Sequence, residues 1–86
     1  MITKCITVYT GDYEVFSDIY EEILALDLAE NEEVEIEGIT VSDSGEVSIE
    51  YIEKMKQKPE VAVMKIRDRN ILIMQHGDIF EILIPA

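Results

Sequence analysis

The sequence is poor in the residues that cross-link or interrupt a protein chain. It has a single cysteine, Cys5, so no disulfide can form within the chain, and a small secreted domain held by disulfides is excluded. Tryptophan is absent, and only four glycines and two prolines occur among 86 residues. Such a composition is typical of regular secondary structure joined by short turns.

Long apolar runs are also missing. No stretch approaches the roughly 18 apolar residues that a membrane-spanning helix needs, and the first residues lack the apolar core of a signal peptide. The sequence therefore predicts no membrane partner and a cytoplasmic location. Since 48% of the residues are hydrophobic, the chain can build a core, and its length suits one domain, 1–86.

Positive charge is absent from half of the chain. Between Asp12 and Glu53 there are fifteen acidic residues and no lysine or arginine, and the net charge of the whole chain is −12 at pH 7. A negative potential repels phosphate backbones and anionic lipids, so direct nucleic-acid binding is not expected. Acidic side chains also keep a small protein in solution, which is the simpler interpretation of the same residues.

The first half predicts a strand over 2–9 followed by a helix. Phe16, Ile19 and Ile23 recur at helical spacing, which indicates an amphipathic helix from Tyr13 to Leu26. Asp12 is the expected N-cap.

A second strand is predicted over 34–41, with a bulge at Gly38 because the alternation of side chains changes phase there. Residues 42–45 suit a turn. A β-α-β unit of this kind favours a right-handed crossover, which would make the first two strands parallel.

The second half predicts a short helix and a three-stranded meander. Ser48 is the expected cap of a helix that reaches about Lys56, and strands follow over 60–67, 71–76 and 79–84. Tight turns between these strands would align Ile66 with Ile71 and place Ile73 beside Ile82 or Phe80. One face would then be wholly apolar, a consistency that a one-residue slip destroys. Its members are Ala62, Met64, Ile66, Ile71, Ile73, Phe80, Ile82 and Ile84.

The order β-α-β-α-β-β-β predicts an α+β fold. We expect a single mixed β-sheet, with two helices packed on one face and a C-terminal antiparallel meander. The reverse face of the meander would then be covered by a second copy of the chain in a homodimer, unless the second helix or a loop covers it. The residues expected at this dimer interface are Val63, Lys65, Leu72, Met74, Glu81 and Leu83.

Catalytic chemistry finds little support in the sequence. His76 is the single histidine and adjoins a predicted turn, without a partner at recognisable spacing. Cys5 lies inside a strand, whereas reactive thiols favour helix N-termini. Metal sites need three or four converging ligands, and no such spacing occurs. We therefore predict no catalytic residue, no metal site and no cofactor.

Acidic residues form the remaining constellation. Like charges at these spacings repel by a few tenths of a kcal/mol per pair, which a basic partner would relieve. The binding residues expected on one helix face and one strand face are Asp18, Glu21, Glu22, Glu33, Glu35 and Glu37.

From this constellation we expect a non-enzymatic acidic binding or regulatory module that docks a basic protein surface. A nucleic-acid-mimic inhibitor is the sharper version. One alternative is a small-ligand-binding or catalytic domain that uses the mixed sheet face near His76. Another is a structural subunit of a homo-oligomer.

Overall fold

Six strands and two helices follow one another along residues 3–66 and 70–85, which the computed structural model describes, with the backbone alone at 65 and 66. In chain order they are β1 (Thr3–Val8), α1 (Tyr13–Leu24), β2 (Glu33–Ile36), β3 (Ile39–Val47), α2 (Ile49–Lys56), β4 (Ala62–Ile66), β5 (Ile71–His76) and β6 (Ile79–Pro85).

The strands form one sheet in the order β2-β3-β1-β6-β5-β4. The predicted α+β class, the single sheet and the C-terminal meander are confirmed. Ile66 pairs with Ile71 and Ile73 pairs with Ile82, as the alternation of apolar residues predicted. The predicted link at 68–69 lies outside the described residues.

The predicted second strand is in fact two strands. Glu37 and Gly38 have φ angles of 50° and 82°, and two consecutive positive φ values form the tight turn that joins antiparallel strands. Both β1 and β2 run antiparallel to β3, so β1 and β2 are parallel to each other, as predicted. They are not neighbours, however, because β3 lies between them. All strand pairings in the described parts of the chain are consequently antiparallel, and the sheet is not mixed in its pairing.

The predicted turn at 42–45 lies inside β3 as a bulge. Lys4 pairs with Glu46 and Ile6 with Asp43, so two residues of β3 oppose the single residue Cys5. Gly45 provides the positive φ, at 88°, and its amide donates to Asp43 Oδ1 at 2.7 Å. The turn chemistry that the sequence indicated is therefore present, but it kinks a strand instead of ending one.

Both helices begin at their predicted caps. Asp12 Oδ1 accepts hydrogen bonds from the amides of Glu14 and Val15, at 2.9 and 3.2 Å, and Ser48 Oγ accepts one from Tyr51 at 3.1 Å. α1 ends two residues before the predicted Leu26. Within the described residues, neither helix has the length and apolar character that crossing a lipid bilayer requires.

The two helices pack on opposite faces of the sheet, and the prediction that they share one face is wrong. Side chains alternate along a strand, so Cys5 and Ile6 point to different faces. The α1 core contains Phe16, Ile19, Ile23, Leu28, Ile6, Val8, Ile36, Val41, Ile71, Ile73, Phe80 and Ile82. The α2 core contains Met55, Cys5, Val61, Met74 and Leu83.

This arrangement corrects the expected dimer interface. Met74, Glu81 and Leu83 are 0%, 6% and 1% exposed, because α2 covers them within one chain. Leu72 is half-buried and Val63 is 40% exposed. The side chain of Lys65 lies outside the described residues. Self-association remains a prediction, but this surface is largely occupied by α2.

We predict that Leu83→Ala lowers the free energy of unfolding by about 2–5 kcal/mol, because it opens a cavity under α2. Urea unfolding should give this value at both low and high protein concentration. The matched control on the same face, Val63→Ala, should change it by less than about 1 kcal/mol. A midpoint that rises with protein concentration in the wild type would show that a second chain covers this face.

Candidate functional site

Most of the acidic segment faces solvent. Of the fifteen acidic residues between Asp12 and Glu53, fourteen are exposed, and Asp43 is buried. Two ion pairs within the described residues reach this segment: Lys4 Nζ lies 3.2 Å from Asp43 Oδ2, and Lys56 Nζ lies 3.6 Å from Glu53 Oε1. The exposed surface of this half is therefore dominated by carboxylates.

Three of the predicted binding residues form a helix patch on α1. Asp18, Glu21 and Glu22 are exposed, whereas the buried residues of the same helix, such as Phe16 and Ile19, face the sheet. The patch therefore points away from the core, as the helical spacing predicted.

The other three binding residues form an edge patch at β2. Glu33 and Glu35 are exposed and pair with Ser42 and Thr40. Ser42 in turn pairs with Thr7, so these glutamates point to the α2 side of the sheet. Glu37 is exposed in the β2–β3 turn. Since α1 lies on the other side, the six predicted residues form two separate patches.

Position in the sheet gives the edge patch a second interpretation. β2 is one of the two end strands of the sheet, and its backbone groups could pair with another chain. Charged side chains on an end strand discourage such pairing. The helix patch, which protects no sheet edge, is therefore the better candidate for a binding surface.

Asp43 serves the fold. Its side chain pairs with Lys4. Its backbone amide donates a hydrogen bond to Glu32 O at 3.0 Å, and its carbonyl accepts one from the amide of Asn31 at 2.9 Å. Lys4 Nζ also donates to Leu28 O at 3.2 Å. These bonds fasten the segment between α1 and β2 to the sheet.

An aromatic groove runs beside the helix patch. It is a cavity of about 230 Å³ between α1 and strands β4 and β5. We call it the α1 groove. Its lining consists of Tyr13, Phe16, Ser17, Tyr20, Glu21, Met64 and Ile73. Phe16 is buried, whereas Tyr13 is 55% exposed.

A second cavity, of about 320 Å³, lies beside α2. Ile52, Leu72 and Leu83 contribute to its aliphatic wall. The ion-paired Glu53 and Lys56 stand at its edge. Thr3 and Asn70 add further polar groups to a lining that is otherwise aliphatic.

A buried carboxylate, Glu81, is the centre of a polar network under α2. It accepts hydrogen bonds from the thiol of Cys5 at 3.2 Å and from the hydroxyl of Tyr51 at 3.0 and 3.1 Å. Nε2 of His76 bonds to the same carboxylate. Four residues from β1, α2, β5 and β6 therefore meet at one point, and His76 does have a partner.

One feature of the sequence points to this network. Glu81 is the only charged residue in the run from Ile79 to Ile84, and the predicted turn at 77–78 already placed it on the same face as His76. Cys5 lies 76 residues away from Glu81 and Tyr51 lies 30 away. Those contacts depend on sheet order and on the side that α2 covers.

The network favours neutral donors around Glu81. Burial raises the pKa of the Cys5 thiol far above its ordinary value, and the negative charge of Glu81 raises it further. Burial, followed by the charge of Glu81, raises the pKa of Tyr51 from 10.0 to about 12. Since nucleophilic attack requires the thiolate, Cys5 is unsuited to catalysis. Among the described residues, no three acidic, cysteine or histidine side chains converge on a position for a metal ion.

We predict that Cys5 in the native protein reacts with iodoacetamide at least about a hundredfold more slowly than in the urea-unfolded protein. The thiol is 1% exposed and its pKa is raised, so both access and ionisation are suppressed. Mass spectrometry of timed samples gives the two rates. Similar rates would mean that Cys5 is accessible in the native state.

We also predict that Glu81→Gln lowers the pKa of Tyr51 from about 12 part of the way towards 10.0, because the charge is removed while burial remains. Carbon NMR of labelled tyrosine rings follows the titration of Tyr51 as a separate signal.

The same shift predicts an alkaline loss of stability. The pKa of Tyr51 is higher in the folded state than in the unfolded state. Its contribution to the free energy of unfolding is therefore complete below pH 10 and is lost as the pH rises through about 12. Glu81→Gln should narrow that pH range. An unchanged pKa of Tyr51 in the variant would contradict the contact.

Comparisons of this chain with protein-family models, with curated proteins and with solved structures give no match.

Proposed function

We propose that this protein is a non-enzymatic acidic binding module that docks onto a basic protein surface. One observation carries the proposal: fourteen carboxylates are exposed in a segment that contains no lysine or arginine. A surface designed only for solubility would mix charges of both signs. The helix patch of Asp18, Glu21 and Glu22 is the expected centre of contact.

Electrostatics of this kind acts mainly on the rate of encounter. An exposed ion pair contributes only about 0–1 kcal/mol, so several pairs must act together. A concentrated charge, however, steers an oppositely charged partner and accelerates association. Salt at about 0.15 M screens such charges beyond roughly 8 Å. Binding should therefore weaken as salt is added.

Nucleic-acid mimicry is the finer form of the proposal. Twelve net negative charges along a longest dimension of 32 Å amount to roughly one per 3 Å, between the densities of duplex and single-stranded DNA. A partner with a DNA- or RNA-binding cleft would suit this density. The proposal locates the module in the cytoplasm, where a lone cysteine stays reduced.

The alternatives have weaker support. A catalytic domain near His76 would need an ionisable nucleophile or a cavity for substrate at Glu81, but Cys5 and Tyr51 are held neutral there. A homo-oligomeric subunit would need a surface other than the one that α2 covers.

The proposal is tested with a charge-reversed variant, Asp18→Lys, Glu21→Lys and Glu22→Lys. The matched control carries the same charge change at exposed residues outside both patches: Asp27→Lys, Glu30→Lys and Glu60→Lys. Wild type and control should retain the same partner from a cell extract at low salt, whereas the helix-patch variant should lose it.

Association rates with the purified partner then give the magnitude. We expect the helix-patch variant to associate at least about tenfold more slowly than the control at low salt, with little difference at high salt. Addition of duplex DNA should displace the module if it occupies a nucleic-acid cleft. Equal rates for the two variants would mean that the helix patch is only a solvated surface.

A further inference from the structure

We propose that the α1 groove holds an arginine side chain of the basic partner. The inference rests on the proposed function and specifies its contact: one guanidinium anchored between aromatic rings, beside a field of carboxylates. It combines three independent features of the groove, namely its rings, its charge and its size.

Aromatic rings form one wall of the groove. The ring of Phe16 lies 6.4 Å from that of Tyr13 and 5.6 Å from that of Tyr20, measured between centroids, and both pairs are tilted. Tyr13, Phe16 and Tyr20 are spaced by three and four residues, so they follow one side of α1. The exposed Tyr13 ring extends this wall into solvent, where a flat cation could stack on it.

Negative charge surrounds the same wall. Glu21 lines the groove and also belongs to the helix patch, which includes the exposed Asp18. A cation attracted by the patch would therefore meet the rings at the edge of the same surface. Arginine suits this site better than lysine, because its planar guanidinium stacks on aromatic rings and is more weakly hydrated than an ammonium group.

The size of the groove selects a side chain over a whole metabolite. Its 230 Å³ falls below the roughly 300–1,000 Å³ of pockets that enclose small molecules. The opposite wall, from Met64 and Ile73, is apolar and would pack against the methylene stem of an arginine. The groove thus has an apolar side for the stem and a polar, aromatic side for the head.

The inference is tested first on the isolated module with a defined probe, N-acetyl-L-arginine methylamide. Titration should give saturable NMR shifts of the Tyr13 and Tyr20 rings and of the Met64 methyl group. The uncharged citrulline analogue has nearly the same shape and should bind at least about tenfold more weakly. The lysine analogue should also bind more weakly than the arginine probe.

Variants then locate the probe. Tyr13→Leu should weaken its binding about fivefold. The matched control, Tyr9→Leu, removes another exposed ring, at 50% exposure, that does not line the groove, and it should leave binding unchanged. Circular dichroism verifies that each variant is folded.

Several results would overturn the inference. These are an absence of saturable shifts at the groove, equal binding of the citrulline analogue, preference for lysine, or equal effects of the Tyr13 and Tyr9 variants. Failure of the proposed function looks different, because it requires the helix-patch and control variants to bind the partner equally. Loss of binding in the helix-patch variant without any effect of Tyr13→Leu would refute the groove alone.

Discussion

Stacking of Phe16 on Phe80 fixes the position of α1, on which the candidate binding surface depends. The two rings are nearly parallel, at 12°, with centroids 4.2 Å apart, and both side chains are almost fully buried. Such a contact contributes about 0.5–1.5 kcal/mol beyond the burial of apolar area. It ties the first turn of α1 to β6, one of the two central strands. With Phe16 directed at the sheet, the helical spacing turns Asp18, Glu21 and Glu22 outward and leaves Tyr13 and Tyr20 beside β4 and β5. The orientation of α1 about its axis therefore determines both which rings are buried and which carboxylates are exposed.

The sheet supports this arrangement because both of its faces are covered. β1, β5 and β6 alternate between the two cores, so each strand supplies apolar side chains to α1 on one side and to α2 on the other. For a chain of this length, two thin cores replace one large core, and the area buried per residue is modest. Glu81 lies on the α2 side of the sheet, where it pairs with Met74 of the second core. A buried carboxylate is costly unless its hydrogen bonds are satisfied, and donors from three other elements satisfy it. The network therefore also specifies which side of α2 meets the sheet.

Much of the architecture followed from local patterns. The caps at Asp12 and Ser48, the stripe of α1 and the register of the meander were predictable because each depends on residues close in sequence. Three features were not. The turn at Glu37 requires a positive φ from a residue that is not glycine, and a glutamate does not predict such a turn. The face of the sheet on which α2 packs depends on which apolar side chains of β1 and β6 α1 does not cover. That in turn depends on the order of the strands. The contacts of Cys5 and Tyr51 with Glu81 depend on the order of the strands and on the face that α2 covers. The acidic residues were recognised from the sequence, but their separation into two patches required the hairpin to be known.

Charge and topology reinforce each other in this molecule. Thirteen of the nineteen acidic residues lie between the first strand and the second helix, in the stretch that forms α1, β2 and β3. Repulsion among neighbouring exposed charges costs only tenths of a kcal/mol per pair, because water screens them. A modest core can tolerate that cost, so the fold does not require compensating lysines. The same screening means that carboxylates alone give little affinity or selectivity to a docked partner. Selectivity needs a contact that excludes water, and in the aromatic wall beside the helix patch exposed charge adjoins buried rings. A binding module built on α1 would therefore use its carboxylates for attraction and its rings for recognition.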